Sequence, residues 1–448
     1  MKKSIYTPFP SFQKYTPKRT KKYIIKNKMP ISHPSTPATA PSDPPPISVA
    51  MIKYTPPSSP RRNPPTGPPE PPKQAAARAS AAASPYRARH VSVDTVINAT
   101  QALVGPSPLK GAAIHVIYDV EYADPVFHGD LVAPLQACAG GAGAPRVRTW
   151  VVTEANAAEV AAKVKAQIGL HGGVVVLHAD MPAQTRAGDR FTGLRSFLDA
   201  GKFPRVMGHL PEYCENTLHK STMHKLFAAA HVPHSESIIV DSIESVTAPE
   251  TQAFVAQILN SSTPGAAIFL KLDGGFNSAG LTPASIARTP SDFAASATML
   301  LREHNGASVV AQRFLGGREF TVAVVTTPAG PRAFAPVERQ FAPGQLYSPP
   351  DGTPAESMLN EHAEPKLARA CRVVALNAYV AVGGCAWGRV DLRCDGTGKV
   401  YVLEVNNTAS FAPNSYFAMS VRADGVDRET CLEMVARAAL GSGCVGEQ

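Results

Sequence analysis

The chain of 448 residues is long enough for two or three domains, and its formal net charge is +9. This charge is unevenly spread: residues 1–90 hold 16 Lys and Arg against two acids and so carry +14, which leaves −5 for the rest. Because the remaining 358 residues are mildly acidic, the composition argues against nucleic acid as a partner.

Residues 1–90 also contain 20 of the 42 prolines. A segment of this composition cannot bury enough apolar surface to form a core, so we predict a disordered basic tail. It resembles an organellar transit peptide as closely as a plain basic tail. The expected location is therefore cytoplasmic, or organellar if the tail is a transit peptide. The seven cysteines form no C-x-x-C pair, which favours a reducing compartment. No apolar run is long enough to predict a membrane span.

The pattern becomes globular from about residue 91. Three buried strands are predicted at 112–120, 146–153 and 172–180, with an amphipathic helix between the last two. Strands that alternate with helices indicate a parallel sheet. We therefore predict an N-terminal α/β domain over 91–210.

The rest of the chain, 211–448, is predicted to begin with a helix at 215–230 and to contain two further parts. The first, 235–325, has the pattern of a small α+β unit, with strands at 235–242, 266–275, 307–315 and 318–327 and helices at 249–260 and 290–304. The second, 326–448, contains a proline-rich excursion at 328–354, a helix at 361–382 and two strands, 386–394 and 399–407, joined by the turn DGTGK.

A lysine on a predicted strand precedes a glycine-rich loop in FLKLDGGFNSAGL, residues 269–281. Lys271 is the lysine, and the loop contains Gly275, Asn277 and Ser278. Glycines let the backbone approach an anion, and the exposed N–H groups and the serine hydroxyl supply donors. The order differs from the Walker pattern, in which the lysine follows the loop. An ordinary glycine-rich hairpin is the structural alternative.

Two carboxylates and an amide lie on the two closing strands, WGRVDLRC and YVLEVNN. Glu404 and Asn406 share a face because they are two residues apart, and Asp391 can join them across a hairpin. Such oxygen ligands suit Mg²⁺ bound to phosphate. Arg389 adds a cation beside them. The alternative for these carboxylates and Arg389 is a surface salt-bridge cluster. The alternative for Lys220, which lies on a predicted helix, is an ordinary solvated lysine.

The order and spacing of these motifs resemble the ATP-grasp superfamily, and within it the D-alanine–D-alanine ligases. WGRVDL and LEVNN match the family's magnesium strands, and the interval from Glu404 to Ser415 matches that from its metal glutamate to a substrate-binding serine. The spacing from Lys220 to the Val-Pro pair at 232–233 matches that from the family's nucleotide-binding lysine to the Leu-Pro pair after its helix. The span from Lys271 to Gly280 matches the family's phosphate-covering loop. REFTV at 318–322 matches the segment that carries its ribose-binding glutamate. The likeness is close over 205–440 and loose over 110–205.

The resemblance implies an ATP-grasp fold behind a preATP-grasp-like parallel-sheet domain, and an ATP-dependent ligase that forms an amide bond through an acyl-phosphate. The expected cofactors are ATP and two Mg²⁺ ions, with Mn²⁺ as a substitute. The expected partners are small amino acids, and neither nucleic acid nor a membrane span is expected. A homodimer is compatible with the resemblance. The resemblance implies that the nucleotide is bound by Lys220, Lys271, Gly275, Asn277, Ser278 and Glu319. It implies Asp391, Glu404 and Asn406 as metal ligands, and Arg389 and Ser278 as catalytic residues. The substrate contacts that it implies are Ser415 and Glu121.

The sequence also departs from the family. Gln312 stands where the family usually has a glutamate near adenine, and it can still accept a hydrogen bond. The N-terminal signature is absent, so that Glu121 is assigned by position alone, and LHAD at 177–180 lacks the family's glycine. The usual loop over the active site is replaced by residues 337–352. A ligase for other amino acids in natural-product synthesis and a non-catalytic nucleotide-binding module are the alternatives.

Overall fold

Three β-sheets form the framework of the protein in the computed structural model. The structure describes residues 105–119, 125–143, 147–171, 173–178, 191–275, 278–304, 307–341, 345, 355–359, 361, 364–407 and 409–440. All of them belong to one unit of the chain. The predicted basic tail, Glu121 and Asn277 lie outside the described residues, as does most of the 337–352 replacement.

The first sheet is parallel and has the strand order β2-β1-β3-β4. Its elements are β1 Ala113–Asp119, α1 Pro125–Ala139, β2 Arg148–Val152, α2 Ala157–His171, β3 Gly173–His178, α3 Thr192–Gly201 and β4 Val206–Gly208. The three predicted strands and the predicted parallel pairing are confirmed. The fourth strand was not predicted, because three residues are too few to show a pattern.

The helix predicted at 215–230 is wrong as a single element. The structure has two helices, α4 Pro211–Leu218 and α5 Lys220–Ala229, separated by His219. His219 has an extended backbone with φ −115° and ψ 131°, which ends the first helix and caps the second. As a result, Lys220 occupies the first position of α5 instead of a mid-helix position on a solvated face.

The second sheet is antiparallel, with the order β5-β8-β6-β7. Its elements are β5 Ser237–Val240, α6 Ile243–Val246, α7 Pro249–Leu259, β6 Ile268–Leu272, β7 Ile286–Ala287, α8 Pro290–Glu303 and β8 Val309–Arg313. The two longer helices begin at prolines, whose missing N–H costs nothing at a helix start. Phe293, Ala297 and Leu300 of α8 are buried against the sheet and hold it as a separate layer.

The third sheet has the order β12-β11-β9-β13-β14, with β10 also paired to β9. Its strands are β9 Glu319–Thr327, β10 Gly330–Ala333, β11 Val337–Gln340, β12 Ala355–Met358, β13 Trp387–Cys394 and β14 Val400–Asn406; the helices are α9 Pro365–Ala381, α10 Tyr416–Ala423 and α11 Arg428–Leu440. Two of these strands lie in the segment that the sequence predicts as a proline-rich excursion. Helix α9 begins at Pro365, four residues later than predicted, for the same reason as the other proline starts.

A shared core fixes the first and third sheets against each other. Val116 and Val174 of the parallel sheet pack in one cluster with Trp387, Phe411 and Phe417 from the C-terminal part. The hairpin of β13 and β14 is thereby anchored from behind. None of the helices that the structure describes combines the length and the apolar character needed to cross a membrane.

Candidate active site

A cleft lies between the small antiparallel sheet and the large sheet. It holds about 820 Å³ of empty space, its open mouth included, which is ample for a small ligand. Its walls come from β6, β8 and the glycine-rich loop on one side, and from β9, β11, β13 and β14 on the other. Eight of the residues predicted from the sequence line it: Lys220, Lys271, Gly275, Ser278, Gln312, Glu319, Asp391 and Glu404.

The register of the closing hairpin brings the predicted metal ligands together. Asp391 on β13 faces Glu404 on β14, and Arg389 faces Asn406. Residues directly opposite in an antiparallel pair lie side by side on the same face, so the two carboxylates are neighbours. Like charges in that position destabilise a sheet unless cations compensate them. The hairpin therefore requires positive charge at this point.

Asp391 is 5% exposed and is surrounded by donors. Arg389 donates to it from Nε and Nη2, both at 2.9 Å. Thr321 Oγ1 donates at 2.6 Å and Asn406 Nδ2 at 3.1 Å. Since Asn406 directs its N–H to the carboxylate, its amide oxygen remains available for another partner.

Glu404 is compensated from the opposite side of the cleft. Lys220 Nζ lies 3.3 Å from its Oε2. Burial alone would raise the pKa of Glu404, but Lys220, Lys271 and Arg389 outweigh it and lower that pKa to about 2. The carboxylate is thus ionised throughout the neutral range.

Lys271 stands on β6 with its side chain in the cleft. Burial lowers its pKa from 10.5 to about 8, with Glu404 opposing the shift and Lys220 adding to it. Two lysine charges close to one another in a water-poor cleft require an anion. A chain of phosphates supplies that charge better than one carboxylate does.

The oxygen donors fit Mg²⁺. Two carboxylates and an amide oxygen, with room for phosphate and water, form the hard ligand set that this ion takes. In the described ranges no group of three or more His, Cys, Asp or Glu could hold a metal by itself. Two carboxylates are present instead of three, so the set depends on phosphate oxygens to complete it.

Gly275 and Ser278 of the glycine-rich loop line the same cleft as the two lysines. Ser278 and Gly280 both have positive φ, 57° and 73°, in the left-handed region that a sharp turn of the backbone requires. Lys220 Nζ donates to the carbonyl oxygen of Gly275. A Cβ at Gly275 would lie 2.8 Å from that of Leu272, so glycine is required there.

An apolar part of the cleft is lined by Phe269, Phe314, Leu315 and Leu403. Gln312 also lines the cleft, lies opposite Phe269 in the pairing of β6 with β8, and is 3% exposed. Its Oε1 is buried and has no hydrogen-bond partner among the described residues. A buried acceptor without a donor costs stability, and the amino group of a flat heterocycle would satisfy it.

Glu319 lines the cleft and is paired with two guanidinium groups. Arg339 Nη1 lies 2.8 Å from its Oε1, and Arg393 Nη1 lies 3.1 Å from its Oε2. Burial lowers the pKa of Arg393, while Glu319 opposes this shift. Both carboxylate oxygens retain lone pairs that a ligand hydroxyl can reach.

Comparison with known proteins shows which proteins this chain is similar to. Residues 285–436 match the family model described as the D-ala D-ala ligase C-terminus. A D-alanine–D-alanine ligase of Nitrosococcus oceani is 30% identical over 141 residues, which are 30% of this chain and 42% of that protein. One of Alkalilimnicola ehrlichii is 32% identical over 127 residues, 27% of this chain and 38% of that protein. The chain spans about two fifths of the length of these curated relatives.

Solved structures extend the likeness to most of the fold. The D-alanine–D-alanine ligase of Bacillus anthracis complexed with ATP superposes with a TM-score of 0.53 at 16% identity, over 74% of this chain and 98% of that one. The VanG D-Ala:D-Ser ligase of Enterococcus faecalis gives 0.52 at 14% identity, over 73% and 100%. Over residues 285–436 the chain is similar to the C-terminal part of D-alanine–D-alanine ligases. It has the ATP-grasp fold that the sequence resemblance predicted.

The match to the ligase C-terminus covers only some of the residues that line the cleft. Gln312, Glu319, Asp391 and Glu404 lie inside residues 285–436. Lys220, Lys271 and Ser278 precede them, so that their assignment depends on the geometry above.

Three predicted residues lie at other places in this ligase-like fold. Arg389 and Asn406 adjoin the cleft through their bonds to Asp391. Ser415 is the N-cap of α10: its Oγ accepts from Ala418 N at 3.1 Å and donates to Ser410 O at 2.7 Å. Its hydroxyl hydrogen is therefore already committed to the protein.

Sequence reasoning missed Arg339 and Arg393. Arg393 is two residues beyond Asp391 on β13, so the period-2 rule that grouped Arg389 with Asp391 could have found it. Arg339 lies in the segment that replaces the family's loop, where the resemblance offered no counterpart. Only the pairing of β11 with β9, which sets Arg339 opposite Glu319, reveals it.

Proposed function

We propose that the protein is an ATP-dependent carboxylate–amine ligase that joins two amino acids by an amide bond. In the first step a carboxylate oxygen of the donor amino acid attacks the γ-phosphorus of ATP; the new O–P bond forms as the bond to the β-phosphate oxygen breaks, and ADP leaves. In the second step the amine of the acceptor attacks the acyl carbon. Phosphate then departs and the nitrogen loses a proton.

One observation carries this proposal. Two lysines from separate elements, Lys220 and Lys271, face the opposed carboxylates Asp391 and Glu404 across one cleft, beside a glycine-rich loop. A salt-bridge cluster that served stability alone would not need a cleft, a loop and an apolar part beside it. Phosphoryl transfer needs positioning and charge neutralisation, and these residues can supply both.

The proposed nucleotide position follows the polarity of the cleft. The base enters the apolar part of the cleft, where its amino group donates to Gln312 Oε1. The ribose hydroxyls reach Glu319, and the phosphates extend to Lys220 and Lys271. Gly275 and the Ser278 hydroxyl, which line the cleft, would contact the γ-phosphate, with Asn277 as a further contact that the resemblance implies.

Asp391, Glu404 and Asn406 would hold magnesium on this proposal. When bound, the metal would neutralise charge that develops on the transferred phosphoryl group. Arg389 now satisfies Asp391, and its guanidinium would turn to the tetrahedral oxyanion of the second step.

The two substrates of the proposed reaction are amino acids. The parallel-sheet part, 91–210, and the C-terminal part, 326–448, would supply the substrate ends, with Glu121 and Ser415 as the contacts expected from the resemblance. The Ser415 hydroxyl already donates its hydrogen to Ser410 O, so a substrate carboxylate would have to share that hydrogen with the carbonyl. The replaced 337–352 segment favours amino acids other than alanine as one or both substrates.

Phosphate release tests the proposal. The protein would be incubated with Mg²⁺, ATP and each of a panel of D- and L-amino acids, singly and in pairs, with mass detection of products. We expect release that requires an amino acid and a product of the mass of the two acids less water. Tight ATP binding without amino-acid-dependent release would favour a nucleotide-binding module instead.

A further inference from the structure

We propose that Asp273 is a positioning residue that fastens Lys220 and the glycine-rich loop into one phosphate-binding unit. The inference rests on the proposed function, since it concerns how that site is held. Asp273 does not line the cleft and would not touch the nucleotide. Asp273 follows the last residue of β6 and is 8% exposed.

The side chain of Asp273 caps a helix to which it is not adjacent in sequence. Ser221 donates to its carboxylate twice, from the backbone N and from Oγ, both at 2.7 Å. His219 Nδ1 lies 3.5 Å away. His219 is the N-cap residue of α5 but makes no capping bond with its own side chain. A distant carboxylate therefore satisfies a first-turn N–H that the helix leaves open.

The backbone of Asp273 adds a second attachment. Lys220 N donates to its carbonyl oxygen at 3.1 Å, and its own N–H donates to Ser308 O at 2.8 Å, next to β8. Two residues further on, Gly275 accepts from Lys220 Nζ. Lys220 is thus bonded at both its backbone and its ammonium group to the segment 273–275.

These contacts have a consequence for binding. The lysine on α5 and the loop after β6 belong to different elements, and each would otherwise adopt its position independently. Because Asp273 joins them, a nucleotide meets the two groups already arranged, and less conformational freedom is lost on binding. Loosening this attachment should weaken nucleotide affinity and leave the chemical step nearly intact.

The variant Asp273→Asn keeps the size of the side chain but removes its charge and one acceptor. We expect the calorimetric Kd for Mg·ATP to rise roughly tenfold, the effect of losing about one charge-assisted hydrogen bond. KM for ATP should rise in parallel, while kcat stays within about threefold and KM for the amino acids is unchanged. Ser221→Ala should give a smaller loss of the same kind, and Ser221→Thr, which restores the hydroxyl, should recover affinity.

Asp292→Asn is the matched control. Asp292 caps α8 in the same small sheet domain, where Thr289 N donates to it at 3.0 Å, and it lies outside the cleft. Its loss should lower Tm by a few degrees without changing the Kd for ATP. If Asp273→Asn unfolds the protein, Ser221→Ala and Ser221→Thr decide the question alone.

Each result has a distinct meaning. Unchanged Kd in Asp273→Asn or Ser221→Ala, beside a wild type that binds ATP, overturns the positioning role and leaves the proposed function standing. An equal loss of affinity in Asp292→Asn also overturns it, because the effect would then be general softening of the domain. A wild-type protein that binds no ATP removes both the proposed function and this inference.

Discussion

Lys220 Nζ lies 3.3 Å from Glu404 Oε2, although the two residues belong to helix α5 and strand β14. The contact exists because the backbone breaks at His219, which places Lys220 at the start of a helix that points at the hairpin. The lysine is 5% exposed, so the pair is removed from bulk water. This ion pair forms part of one side of the cleft, and phosphates bound there would compete for the lysine.

Lys271→Ala should weaken nucleotide binding while leaving the fold intact. Its ammonium group is buried in the cleft, so its loss removes a charge-assisted contact to phosphate of ~2–4 kcal/mol. Lys225→Ala, an exposed lysine on α5, is the control and should leave the affinity unchanged. Calorimetric titration with ATP gives the measurement, and equal affinities for the two variants would contradict the assignment of the loop.

Nucleotide binding should take up protons near pH 8. In the free protein the pKa of Lys271 is lowered to about 8, so the lysine is partly neutral there, and bound phosphates would raise that pKa again. Below pH 7 the lysine is already charged, and uptake should vanish. Titrations in buffers of different ionisation enthalpy measure it, and proton uptake that persists in Lys271→Ala would assign it elsewhere.

The same lowered pKa affects stability with a definite sign. An unfolded chain keeps Lys271 protonated up to about pH 10.4, whereas the folded protein releases that proton near 8. Unfolding therefore binds a proton between these values, and this residue's contribution to stability rises with pH across that window. Urea unfolding of wild type and Lys271→Met at pH 7 and 9.5 would show it, and an identical pH dependence would refute it.

Glu319→Gln should lower stability strongly. The amide would leave Arg339 and Arg393 without their shared carboxylate in a buried position, a loss of about 3–5 kcal/mol. Glu338→Gln is a control on the adjacent strand, because Glu338 pairs with the more exposed Arg318; that loss should be within about 1 kcal/mol. Urea unfolding measures both, and similar values would show that the Glu319 network does not hold the cleft together.

Local pattern in the sequence was sufficient for the closing hairpin and for the first three strands of the parallel sheet, but not for β4, β10 and β11. Period-2 alternation on β13 and β14 predicted that Asp391, Glu404 and Asn406 share a face, and the observed register has this arrangement. The break at His219 could not be predicted, since a tertiary bond from Lys220 N to Asp273 O defines the helix start. Arg339 was missed for the same reason: its role depends on a strand pairing between distant segments.

The most direct test of the account is magnesium- and amino-acid-dependent phosphate release by Glu404→Gln. The amide keeps the shape of the side chain but loses the charge that would hold the metal, so turnover should fall by at least about a hundredfold while Tm changes by only a few degrees. Asp391→Asn should behave alike, and the double variant should be little worse than either single one, because both residues serve one ion cluster. Wild-type turnover in Glu404→Gln would contradict the account, since the two opposed carboxylates would then be an ordinary salt-bridge cluster.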